Sequence, residues 1–329
     1  STQNSTLKTQ HSLRPQDGVY HWLLGDPGMA NYNDKVIKSL AKPELDKIKV
    51  WKKDFVSTYE EDELPELLEL SEAADALFAR HLSATRELRE KTTDYLHVWG
   101  QPKLDAPHPP TSTKDKDKKW ATEIKHPYSP YSRLKLALDY WCSLWFWPID
   151  QADLLPDKQT FLSEIGILLG YLPGFEKPSQ QGELDSILVQ VSGHTIAVKQ
   201  DDLDLDDAVV NTDTLCQKSE RLARVRQIAA KRAFFHWELE YCDLFDERGG
   251  FDLILGNPPW VKVEWNEGDL LSERNPAFAI RKLSASKIAK ARDEQLEIRA
   301  QKDAYFDEYT EFEGTQAFLN APQNYHLLK

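Results

Sequence analysis

The sequence is poor in sulfur. Met29 is the only methionine in 329 residues, and it is not the first residue. The three cysteines, Cys142, Cys216 and Cys242, lie far apart and in no metal-ligand spacing. An odd, unpatterned set excludes a disulfide framework and suits a reducing compartment. No stretch approaches the ~20 consecutive apolar residues of a membrane span, and residues 1–10 are too polar for a signal peptide. These absences predict a soluble, cytoplasmic protein with no membrane partner. Positive charge is short as well, with 41 Lys+Arg against 54 Asp+Glu and a net charge of −13. That balance excludes nucleic-acid binding over the whole surface and leaves room only for a local basic groove. No phosphate loop and no nuclease signature is found.

What is present is enough for a core. Hydrophobic residues make up 40% of the chain, so wholesale disorder is excluded. Residues 19–24 form a short apolar run before the turn signal Gly25-Asp26-Pro27-Gly28, and read as a strand or a buried connector. Pro43 opens a helix. Pro65 opens a longer one, with Leu67, Leu70, Ala74, Leu77, Phe78, Leu82 and Leu88 at helical spacing to about Val98. Residues 105–131, rich in Pro, Lys and Asp, read as an exposed loop. Leu134 to Trp147 is a strongly apolar helix stopped by Pro148, and its tryptophans are expected in a core rather than on a ligand. A further helix runs from Pro156 to Leu172, two short strands flank Ser192-Gly193, and an amphipathic helix spans 212–234. From Phe235 the pattern changes. Residues 235–241 alternate as in a strand, Gly249-Gly250 turns, and Phe251-Asp252-Leu253-Ile254-Leu255 reads as a strand buried on both faces of a parallel sheet.

Asn257-Pro258-Pro259-Trp260 follows that run directly. In doubly wound sheets, ligands lie beyond the carboxyl ends of strands. Asn257 offers a side-chain carbonyl to an amino hydrogen. Pro258 has no N–H, and its own carbonyl is free to accept a second hydrogen. Pro259 stiffens the turn, and Trp260 offers a flat face for stacking. Two acceptors on one planar amino group draw its lone pair out of conjugation and make the nitrogen nucleophilic. In duplex DNA such a group must first be flipped out, and stacking on Trp260 would offset part of the lost base stacking.

Residues 251–260 resemble the catalytic motif of S-adenosylmethionine-dependent amino methyltransferases. The wider stretch from His236 through Gly249-Gly250 to Trp260 is similar to large bacterial adenine-N6 DNA methyltransferases of type IIG restriction-modification and of BREX- and DISARM-type phage defence. Residues 138–148 and 20–24 resemble those enzymes too. The resemblance implies S-adenosyl-L-methionine as cofactor, double-stranded DNA as substrate and other defence-system subunits as partners. It implies Asn257, Pro258, Pro259 and Trp260 as the catalytic set. Protein-glutamine and ribosomal-RNA methyltransferases use a similar motif, usually with Tyr in fourth place.

The chain departs from that family in one respect. No Phe-x-Gly-x-Gly turn for the cofactor occurs, and Gly166 and Gly170 sit in a helical pattern. With the solitary internal Met29 and the abrupt end at 324–329, this gives the expectation of a fragment that is inactive alone. Asp243 resembles the acidic residue that contacts the cofactor's adenine, and reads equally as a solvated turn residue. For DNA contact, Arg281, Lys282, Lys287, Lys290 and Arg292 form a cluster just after the motif. Lys218, Arg221, Arg224, Arg226, Lys231 and Arg232 load the preceding helix, where a solvated face is the simpler reading. The acidic run from Asp202 lacks the Gly and Glu of a calcium loop, and His236-Trp237-Glu238 lacks the Cys pair of a zinc deaminase.

The expected fold is α/β: a helix-rich fragment with a partial Rossmann-like methyltransferase sheet and a large helical insertion. Residues 1–234 are expected to be mainly helical, and 235–329 to hold the partial catalytic region. The rival reading is an interaction or DNA-binding helical module of such a system.

Overall fold

A computed structural model describes residues 18–94, 99–100, 111–171, 186–191, 194–199, 203–204, 209–257, 265–274, 276, 280, 285–322 and 324. In chain order the helices are α1 (Lys35–Leu40), α2 (Lys42–Phe55), α3 (Leu64–Thr92), α4 (Thr113–Lys119), α5 (Pro130–Ser143), α6 (Lys158–Leu169), α7 (Thr212–Lys218), α8 (Glu220–Arg232), α9 (Trp237–Glu240), α10 (Cys242–Arg248), α11 (Glu267–Arg274), α12 (Ala285–Leu296) and α13 (Arg299–Asn320). Strands are confined, among the described residues, to two antiparallel pairs. β1 (Ser186–Val191) pairs with β2 (His194–Lys199), and β3 (Leu203–Asp204) with β4 (Val209–Val210).

The partial Rossmann-like sheet expected from Phe235 onward is not formed among the described residues. No parallel pairing occurs among the described residues. The alternating run at 235–241 forms the short helix α9 instead. His236 carbonyl accepts from Leu239 N at 3.1 Å and Glu240 N at 2.9 Å, which closes a turn locally. Residues 251–257 are unpaired coil, and beyond 265 the described elements are all helical. The physical reason is backbone satisfaction: a helix bonds to itself, whereas a strand needs a neighbour. The exposed loop expected at 105–131 is also corrected over 113–124. There α4 is capped by Ser112, whose hydroxyl accepts from Asp115 N at 3.2 Å, and a π-helical turn, Trp120–Ile124, follows.

The chain divides into two compact units interleaved in sequence. The first holds residues 1–23, 59–141 and 158–255, and the second 24–58, 142–157 and 256–329. In the first, α3 lays Leu67, Leu70, Ala74, Leu77, Phe78, His81, Thr85 and Leu88 along one buried stripe, the three-and-four spacing of an amphipathic helix. It packs on α6, whose Phe161 and Leu162 and the run from Glu164 to Leu169 are buried throughout. Gly166 leaves room for the chain to fold back at the end of α6, since a Cβ there would meet Tyr171 O at 3.1 Å. The buried Glu164 carboxylate is held by the Tyr140 hydroxyl at 2.5 Å and by Arg221 Nη1 at 2.8 Å. The helix expected over 212–234 is two helices, because Ser219 breaks it. Its backbone N–H caps α7 through Leu215 O, and its hydroxyl accepts from Leu222 N to start α8.

In the second unit, Trp145 and Trp147 are fully buried, as the sequence reading expects of core tryptophans. Trp147 Nε1 donates to Gln151 O at 2.9 Å, and its carbonyl accepts from the Tyr32 hydroxyl at 2.6 Å. Gly314 of α13 lets that helix approach, since a Cβ would lie 2.6 Å from the Phe146 ring and 2.7 Å from Trp145 O. Asp34 caps α1 by accepting from Val36 N at 2.7 Å and Ile37 N at 3.0 Å. α2 is fixed against the 3-10 turn Ile149–Leu154 and the residues after it by a Lys47–Asp153 ion pair at 2.8 Å and by Trp51 Nε1 donating to Pro156 O at 2.6 Å. No helix among the described residues is long and apolar enough to cross a membrane.

Candidate functional site

The approach to the motif begins at Gly249 and Gly250, which hold positive φ of 73° and 149°. α10 ends there through Gly249 N donating to Phe245 O at 2.8 Å, a left-handed cap that glycine adopts without strain. Phe251 anchors the next residues in an aromatic cluster. Its ring centroid lies 5.1 Å from Tyr241, 5.6 Å from Trp237 and 5.8 Å from Phe245. Beyond Phe251 the chain leaves the core. Leu253, Ile254 and Leu255 are 71%, 78% and 85% exposed. Asp252 pairs with Arg248, on the surface. Asn257 is exposed, so its amide is open to a ligand. Pro258, Pro259 and Trp260 lie outside the described residues.

Asp243 is not a free turn residue. Arg89 of α3 binds its Oδ2, and its Oδ1 is buried with no hydrogen-bond partner among the described residues. The orphaned oxygen fits a group that accepts one hydrogen bond from a ligand. No Phe-x-Gly-x-Gly turn for the cofactor occurs in the sequence. The described residues therefore do not make a complete S-adenosylmethionine site.

Lys287 and Lys290 are exposed on α12, whereas Arg281 and Lys282 lie outside the described residues. Arg292 is engaged. Its Nη1 reaches Glu267 Oε1 at 3.2 Å and its Nη2 reaches Asp293 at 2.9 Å, and Glu267 also accepts from the Tyr305 hydroxyl at 2.8 Å. Those two carboxylates raise the Arg292 pKa against the opposing effect of burial, the largest single influence on it. On α8, Arg221 is committed to Glu164 and Arg226 to Asp213, which favours the structural reading of that helix. Among the described residues no group of His, Cys, Asp and Glu forms a metal site. The aromatic cluster around Phe251 was not foreseen. Its signal is the spacing of Trp237, Tyr241 and Phe245 at four-residue intervals.

Residues 137–314, more than half of the chain, match the family described as Eco57I restriction-modification methylase. No curated protein and no solved structure matches. The matched stretch takes in the second half of α5 with Trp141, the buried Trp145 and Trp147 after it, the aromatic cluster at α9 and α10, the motif and most of α13. The chain belongs to the Eco57I restriction-modification methylase family.

Proposed function

We propose that this chain is the target-base portion of a DNA adenine-N6 methyltransferase of a restriction-modification or phage-defence system. The observation that carries the reading is Asn257. It lies inside the family match, at the head of Asn-Pro-Pro-Trp, with its side chain exposed. An adenine flipped from the duplex would donate its two amino hydrogens to Asn257 Oδ1 and the Pro258 carbonyl, with its ring against Trp260. That withdraws the hydrogens from the ring plane and leaves the nitrogen lone pair ready to attack a methyl donor. S-adenosylmethionine is the donor that the family implies.

The chain contributes acceptors and a stacking face. The glycine turn is missing, so it is not expected to hold the cofactor by itself. Calorimetric titration of the isolated chain with micromolar S-adenosylmethionine should show no heat, and a one-to-one isotherm would contradict this. A second reading, a module that assembles with other subunits, draws on the exposed apolar run at Leu253, Ile254 and Leu255.

The test uses the complete gene product that carries this chain, duplex DNA and tritiated methyl donor, with digestion of the product to nucleosides. Label in N6-methyladenine is expected. Asn257→Ala should cut turnover ~10²–10³-fold, the usual cost of losing one preorganised partner of the reacting group. Label in protein glutamine or RNA would overturn the substrate, and wild-type turnover of Asn257→Ala would overturn the site.

A further inference from the structure

The chain is acidic overall, yet one segment of the second unit inverts that balance. α1 and α2 together carry seven lysines, Lys35, Lys38, Lys42, Lys47, Lys49, Lys52 and Lys53, against three carboxylates, Glu44, Asp46 and Asp54. Between these helices and residues 30–33 lies a groove of about 400 Å³, lined by Lys38, Lys42, Lys49 and Lys52 with Asp46 as its single carboxylate. Lys38, Lys42 and Lys49 are exposed, and their ammonium groups have no hydrogen-bond or ion-pair partner among the described residues. A cleft of about 470 Å³ in the first unit provides the contrast. There Lys135 is bound to Asp139, which also holds His236, and Arg226 is bound to Asp213. Lys135 and Arg226 are thus paired with carboxylates and Lys125 sits over the Tyr131 ring, whereas no carboxylate pairs with Lys38, Lys42 or Lys49 among the described residues.

We propose that the groove between α1 and α2 is a phosphate track for the backbone of duplex DNA, contacted by Lys38, Lys42 and Lys49. The inference rests on the DNA substrate proposed above and adds where the acidic protein holds it.

Geometry favours an extended polyanion over a single ion. Lys42 and Lys49 are seven residues apart on α2, which puts them on one face and ~10 Å apart along the axis. That is about three base-pair rises of one DNA strand, at ~3.4 Å each. A row of that spacing matches successive backbone phosphates along a strand. Lys52 closes the inner end. Its Nζ donates to Pro27 O at 3.1 Å and Asn31 Oδ1 at 3.0 Å. Burial lowers its pKa to about 8 despite nearby Asp26, and a polyanion seated in the groove would push it back up. Phosphate contacts of this kind give affinity and register without reading sequence. They release counterions, so they register as salt dependence.

The experiment is fluorescence anisotropy of a labelled duplex with the chain at ~50–200 mM salt. Three proteins are compared: wild type, Lys38→Gln/Lys42→Gln/Lys49→Gln, and a charge-matched control at exposed lysines outside any proposed DNA contact, Lys91→Gln/Lys114→Gln/Lys118→Gln. The groove variant should bind at least tenfold more weakly. Its slope of log affinity against log salt should fall by about three, roughly one per lost phosphate contact. The control should stay within about twofold. Equal losses in both variants, an unchanged groove variant, or no wild-type binding would overturn the proposal. So would displacement of DNA by inorganic phosphate at matched phosphate concentration, which would mark a free-ion site. Circular dichroism of each variant verifies folding. Methyl transfer by the complete gene product reads the proposed function separately. Groove-dependent binding without transfer to DNA would sink that function and keep the groove. Transfer to DNA with unchanged binding in the variant would do the reverse.

Discussion

In the first unit, α5 buries Leu134, Leu136, Ala137, Tyr140 and Trp141, whereas Leu253, Ile254 and Leu255, equally apolar, stand in solvent. Composition does not separate these two runs. Backbone chemistry does. A helix satisfies its amides within itself, so any helix with an apolar stripe can be driven onto a core. An extended run must find its hydrogen-bond partners on other segments. Among the described residues none pairs with residues 251–255, and without a ladder there is no sheet to pack against. The packed run is therefore held by many contacts, and the exposed run by Phe251 alone at its start.

The largest expected effect lies on the packed side. Glu164→Leu would remove the acceptor of both Tyr140 and Arg221, and Arg221 would stay nearly buried without its carboxylate. Denaturant titration should show a loss of about 3–5 kcal/mol, the usual result of breaking a buried pair from one side. A loss below about 1 kcal/mol would mean that the pair is solvated and that the packed side of the comparison is overstated. Phe161→Ala, at a fully buried ring in edge contact with Tyr140, should cost a similar ~3–5 kcal/mol.

A smaller effect, set by pH, should appear at His81. This buried ring bonds the Leu239 carbonyl at 2.9 Å. Burial lowers its pKa below the ordinary value, against smaller opposing effects from the Leu239 bond, Glu240 and Asp243. The unfolded chain takes up a proton near pH ~6.5 and the folded chain resists it. The stability is thus complete above that pH and is lost as pH falls through the lowered folded value. His81→Gln should flatten the acid side of the Tm–pH curve relative to wild type. Parallel curves would show that the ring is accessible to protons.

The smallest effect belongs to the exposed run. Ile254→Ser should change stability by less than about 0.5 kcal/mol, as at other surface positions, and should raise solubility by shrinking an apolar patch. A cost above about 2 kcal/mol would place Ile254 in a core and break the comparison.

The same contrast explains what was legible in the sequence. Helices were readable wherever apolar spacing and proline punctuation coincide: α2 behind Pro43, α3 behind Pro65, and α6 between Pro156 and the left-handed Gly170. The core tryptophans and the antiparallel pair β1–β2 were readable too. The Ser219 break was missed because a serine inside a helical pattern reads as tolerated until its hydroxyl is seen to cap α8. The strand readings at 235–241 and 251–255 failed because alternation and apolar character say nothing about the availability of a pairing partner. The motif was legible as chemistry, since Asn257 is informative by type and order alone. Asp243 was not, because its partner Arg89 lies 154 residues away. The lysine groove was missed because it joins two short helices across Ala41, and neither helix is conspicuously basic by itself.

Hydrogen–deuterium exchange followed by mass spectrometry puts the two runs side by side in one sample. Amides of residues 252–256 should exchange within seconds. Those of residues 134–143 should remain protected by several orders of magnitude, approaching the protection set by global unfolding. Comparable protection in the two stretches would contradict the account, because it would mean that residues 251–255 are hydrogen-bonded.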